Sequence, residues 1–80
     1  MTHEIKSVTT LPDFKLYVQF GEGVIKLYDL KPLFERIPAF QYLRDNPAEF
    51  GRVCVEVGGQ SIVWKDDLDL SCDELWENGI

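Results

Sequence analysis

Hydrophobic and polar positions alternate most cleanly over residues 14–20, where Phe14, Leu16, Val18 and Phe20 interleave with Lys15, Tyr17 and Gln19. A period of two predicts a strand with one buried face. The stretch 3–10 before it is short and β-branched, and Pro12-Asp13 supply turn residues between the two. Gly21-Glu22-Gly23 then links to a returning strand over 24–29, with Ile25 and Leu27 on one face. Three antiparallel strands with one fully apolar face need a cover. Leu30, Leu33, Phe34 and Ile37 form a helical stripe, with Asp29 placed to cap it, Pro32 in its first turn and Pro38 ending it. Residues 39–45 read as a second short helical stretch. Asn46, Pro47 and Glu49 mark the start of a third, stopped by Gly51. Strands return over 52–57 and 60–64 around Gly58-Gly59, a dipeptide suited to the positive-φ positions of a two-residue hairpin.

The last stretch, Ser61 to Ile80, holds both tryptophans and six acidic residues. Ser71 and Glu74 have the spacing of a capping box, Leu70 and Leu75 that of a hydrophobic staple, and Gly79 is placed to end the helix. A calcium loop is the sharper alternative, since Asp67, Asp69, Ser71 and Asp73 fall at alternate positions. However, the sixth position from Asp67 is Cys72 where the turn wants glycine, and the twelfth is Asn78 where a glutamate is needed. Catalytic carboxylates require one carboxyl to be shifted by burial beside an ionised neighbour. Asp66, Asp67 and Asp69 are expected in an open loop, and the single histidine, His3, stands at the far end of the chain. Cys72 at a helix start has three acids close in sequence, which oppose a reactive thiolate. No nucleophile–base pairing is visible, so no enzyme is expected. Trp64 and Trp76 are expected to pack against each other, with Trp64 open to a role as core or contact. Tyr17 and Tyr28 are assigned to the less apolar sheet face, where spare aromatics would mark a surface for a protein partner.

Eighty residues make one domain, 1–80, which buries roughly 60–65% of its unfolded surface. Two cysteines 18 residues apart, without a CxxC, read as free thiols, and no cofactor or zinc site is expected. The formal net charge of −6 comes wholly from residues 66–80; residues 1–65 hold eight bases and eight acids. With no basic stripe, direct nucleic-acid binding is not expected. Neither a membrane span nor a signal peptide is visible, which places the chain in the cytoplasm by expectation.

Three segments in order complete the picture: Asp29-Leu30 with Pro32-Leu33, Leu43-Arg44-Asp45 before Phe50, and Ile62-Val63-Trp64 before Asp69-Leu70 and Leu75. Together they resemble the small bacterial family catalogued as domain of unknown function 2442. The resemblance covers roughly residues 4–77. It implies an α+β domain without known catalytic residues. Relatives often stand beside a second small protein, an arrangement similar to a toxin–antitoxin pair, and some carry a fused helix-turn-helix, for which this sequence leaves no room after Ile80. The expected architecture is a two-layer α+β domain, a meander plus a C-terminal hairpin covered by short helices. The expected function is a non-catalytic protein-interaction module, antitoxin-like, with a basic protein partner or a second copy. Tyr17, Tyr28, Trp64, Asp66, Asp67, Asp69 and Glu77 are its candidate contacts. The alternative is a small-ligand or divalent-metal domain built on the acidic loop Asp66–Asp69.

Overall fold

A computed structural model of the chain describes residues 3–65 and 68–80. β1 (Ile5–Leu11), β2 (Lys15–Phe20) and β3 (Ile25–Asp29) form one antiparallel sheet in the order β1-β2-β3. Leu16, Val18 and Phe20 are wholly buried, as their alternation requires. The Pro12-Asp13 turn is tighter than the sequence suggests. Asp13 and Phe14 both take positive φ, 67° and 57°, so the strand begins after Phe14 rather than at it. A bulky residue in this region is strained. Here the ring is held edge-on against Phe34 and Phe50, at 5.3 and 5.2 Å between centroids.

The cover is a run of single turns: α1 (Leu33–Arg36), a 3-10 turn at Pro38–Phe40, α2 (Gln41–Asp45) and α3 (Pro47–Phe50). Leu30, Leu33, Phe34, Phe40, Leu43 and Phe50 enter the core, whereas Ile37 is 41% exposed. The expected caps are redirected. The Asp29 carboxylate accepts from the Lys31 N–H at 3.1 Å, and α1 starts later, with Pro32 at its cap position. The Asn46 side chain does not cap α3 but donates to the Tyr42 carbonyl at the end of α2.

β4 (Cys54–Val55), β5 (Ser61–Lys65) and β6 (Leu68–Ser71) form a second antiparallel sheet. Gly58 and Gly59 take positive φ, 94° and 69°, so the hairpin between β4 and β5 turns where the sequence places it. β6 was not foreseen. Leu68 and Leu70 are buried with Asp69 exposed between them, a strand alternation in a stretch expected to be an acidic loop. β6 leads straight into α4 (Cys72–Asn78), whose first turn is capped by Ser71: its hydroxyl accepts the Glu74 N–H at 3.1 Å. The α+β class therefore holds: the first sheet is the expected antiparallel meander, and the expected C-terminal hairpin gains β6 as a third strand. Among the described residues no helix is long and apolar enough to cross a membrane.

Candidate functional site

The register of the first sheet decides which side chains are left outside. Leu16 lies opposite Tyr28, and Tyr17 opposite Leu27, so directly paired residues share a face. Tyr28 therefore falls on the core side with Leu16, and Tyr17, Ile25 and Leu27 fall together on the other. Their exposures of 37%, 46% and 41% make this an open apolar sheet face. The row extends one position further. The Leu27 N–H donates to the Ile80 carbonyl and the Ile80 N–H to the Leu27 carbonyl, both at 2.9 Å, a two-way exchange that seats Ile80 as an edge partner of β3. Thr9, Tyr17, Leu27 and Ile80 thus run across the face as cross-strand neighbours. At one end of the row a pocket of about 220 Å³ is lined by Lys15, Leu27, Tyr28, Asp29, Asn78 and Ile80.

α4 lies on the other side of β3. Trp76 offers its carbonyl to Lys26 Nζ at 2.6 Å, and Glu74 Oε2 accepts from the Tyr28 hydroxyl at 2.7 Å. Burial, and then the Glu74 carboxylate, push the Tyr28 hydroxyl far above its ordinary pKa, so it stays a donor. Half of the expected capping box is consequently absent: Glu74 reaches Tyr28, not back to its own helix start.

The candidate contacts are dispersed. Tyr17 is on the open face. Tyr28, 4% exposed, is enclosed and offers no surface to a partner. Trp64 is half-buried, with its Nε1–H donating to the Phe50 carbonyl at 2.9 Å and its ring stacked on Phe50 and edge-on to Phe40. The tryptophans do not meet. Trp76 stacks on the His3 ring, 3.4 Å and 9° between planes, and takes the edge of Phe20 on its own ring. Asp69 is exposed on β6 opposite Val63, and Glu77 is exposed on α4. Asp66 and Asp67 lie outside the described residues, and with them most of the loop proposed for a divalent ion. Among the described residues no group of three or more potential ligands is placed to hold a metal.

Ile25, Leu27 and Ile80 were missed as surface residues. The signal was available in part, because Ile25 and Leu27 alternate with Lys26 and Tyr28. Either set could have faced inward, and only the β2–β3 register chooses.

The thiols are also told apart. Cys54 is exposed and Cys72 is buried, and burial, followed by Asp73, Glu22 and Glu4, pushes the Cys72 thiol up. A disulfide reagent added to native protein is expected to modify one thiol quickly and the second only on unfolding. Equal, fast modification of both would contradict the packing of α4.

A model of the family described as protein of unknown function (DUF2442) matches residues 5–80. The chain belongs to this family. No curated protein matches it. Among solved structures it is similar to Putative DNA Binding Protein NE0471 from Nitrosomonas europaea, with a TM-score of 0.80 and 22% sequence identity. The match covers 98% of this chain and 49% of NE0471, so the DUF2442 chain spans about half the length of that protein. At this identity the likeness shows the fold. The expectation that the chain makes no direct contact with nucleic acid is not kept, because it conflicts with the DNA-binding name of NE0471, a protein that carries this fold. The expectation rested on the lack of a basic stripe along the sequence, and spacing in sequence does not fix which charges the folded surface gathers. Residues 5–31 carry Lys6, Lys15, Lys26 and Lys31 against Asp13, Glu22 and Asp29, so the first sheet is not acidic at all.

Proposed function

We propose that this DUF2442 domain is a non-catalytic protein-interaction module that docks a second polypeptide domain on the open face of its first sheet, within assemblies that engage DNA. The observation that carries the reading is the exposed row of Tyr17, Leu27 and Ile80 with Ile25 beside it. Large apolar side chains grouped on one sheet face favour a contact, whereas single scattered ones carry no message. NE0471 supports the choice of occupant. It contains as much chain outside the shared fold as within it, and its name refers to DNA. An antitoxin-like role in a two-protein system is the narrower form of the same proposal, with the second domain supplied by a separate chain.

A photo-crosslinking residue placed at Tyr17, with a control at Glu77, tests this in the native host. Position 17 is expected to trap one defined polypeptide, and Leu27→Lys is expected to abolish the product by placing a charge in the row. Products at Glu77 alone, or indifference to Leu27→Lys, would sink the reading.

Direct DNA contact by the domain is the second reading, favoured by the name of NE0471 and by the lysines of residues 5–31. Fluorescence anisotropy with labelled duplex decides between them. Binding by the isolated chain that weakens steeply with salt supports direct contact. Binding only in the presence of the crosslinked partner supports docking.

A further inference from the structure

An antiparallel edge strand presents every second residue's N–H and C=O outward. The Leu27–Ile80 exchange fixes Leu27 as one of these on β3, so Ile25 and Asp29 are the others. Such an edge is a template for pairing with another chain. The opposite edge of the sheet is already approached by β4, with Gly59 offering its carbonyl to the Ile5 N–H at 2.8 Å. On β3 the cover is Gly79-Ile80. This pair adds nothing to the core, since Gly79 has no side chain and Ile80 is 93% exposed. Its position is nonetheless closely fitted: a Cβ at Gly79 would lie 2.7 Å from the Leu75 carbonyl oxygen and 3.0 Å from Lys26 Cβ.

We propose that Gly79-Ile80 is a guard strand, and that without it β3 pairs antiparallel with β3 of a second copy. The edge is self-complementary. A two-fold axis at Leu27 places Leu27 opposite its own counterpart, with the outward groups of each replacing those of Ile80. Ile25 then faces Asp29 of the other copy, also an outward-facing pair. The two sheets would become one of six strands, with Tyr17–Leu27–Leu27–Tyr17 as a continuous apolar row on the open face. This isologous contact closes as a dimer and leaves no further β3 edge to propagate.

Two variants release the guard by different means. Gly79→Val cannot fit beside Leu75 and Lys26. Ile80→Pro removes the Ile80 N–H, and with it one of the two bonds to Leu27, and exchanges an exposed side chain for a ring; the Gly79 backbone (φ −80°, ψ 158°) is already what a residue before proline adopts. Light scattering during gel filtration is expected to show a monomer for the wild type. For both variants the mean mass is expected to rise with concentration toward twice 9.2 kDa. Adding Leu27→Pro to either should restore the monomer. That residue's N–H points away from β2, so proline blocks the edge and spares the β2–β3 bonds. Folded variants that stay monomeric, a wild type that already dimerises, or a dimer that survives Leu27→Pro would each overturn the proposal. So would loss of fold in Ile80→Pro by circular dichroism, which would make the pair a structural strand rather than a guard.

Discussion

Gly59→Val is expected to leave little folded protein at 25 °C. Gly59 sits at φ +69° in the β4–β5 turn, a conformation strained for any residue with a Cβ and worst for a β-branched one. Space makes matters worse. A Cβ there would lie 2.5 Å from Glu4 Cγ and 2.7 Å from the Ile5 carbonyl oxygen. Glu4 can swing away, but the Ile5 backbone belongs to β1, and its N–H donates to the Gly59 carbonyl. The substitution therefore separates the two sheets at the place where they join. Stabilities of about 0.05–0.15 kcal/mol per residue give a domain this size roughly 4–12 kcal/mol, so strain and a lost strand junction together consume much of it. Gly58→Ala is the control. Its φ of +94° is unfavourable too, but a Cβ there meets nothing within 4 Å. Urea midpoints should place Gly58→Ala modestly below the wild type and Gly59→Val far below both. Equal midpoints would mean that the turn does not join the sheets as described.

The same turn shows what was legible in the sequence. Gly58-Gly59 announces its conformation because only glycine adopts it freely, and Ser71 announces a helix start because its hydroxyl has one obvious local partner. Local chemistry of this kind survives folding. The misreadings of Tyr28, Glu74 and Trp76 share a different cause: each depended on a contact between residues distant in sequence. Tyr28 is polar-tipped and alternates with Leu27; the β2–β3 register turns it to the core side, where Glu74, 46 positions later, accepts its hydroxyl. That same contact removes Glu74 from the capping box. Trp76 was expected to meet Trp64, twelve residues away, yet it packs with His3 and Phe20 from the other end of the chain. β6 was hidden by its acids, because Asp66, Asp67 and Asp69 outweigh Leu68 and Leu70 in any local reading. The Asp13-Phe14 turn breaks local preference outright, and aromatic packing on Phe34 and Phe50 compensates for it. The candidate contact face was legible only as a set of apolar residues awaiting a register.

A comparison of Phe20→Ala with Tyr17→Ala tests that register directly. Phe20 has no exposed surface, and its ring lies edge-on to Trp76, 4.9 Å and 82° apart. Removing it deletes buried area and leaves a cavity between β2 and α4, at an expected loss of about 3–5 kcal/mol. In a domain holding roughly 4–12 kcal/mol in all, that moves the thermal midpoint by many degrees. Trp76 fluorescence should shift to the red as water reaches the ring. Tyr17, three residues earlier on the same strand, is expected to behave otherwise. Its ring lies on the open face beside Leu27, so truncation should change stability by no more than about 1 kcal/mol, the range of a cross-strand pair. Any larger effect of Tyr17→Ala should appear in partner binding. If the two truncations destabilised the chain equally, Tyr17 would have to be covered by the protein itself, and the open face could not be a docking surface. If Tyr17→Ala leaves stability intact and removes the crosslinked partner, the strand divides as its register requires, with one face for the fold and the other for the contact.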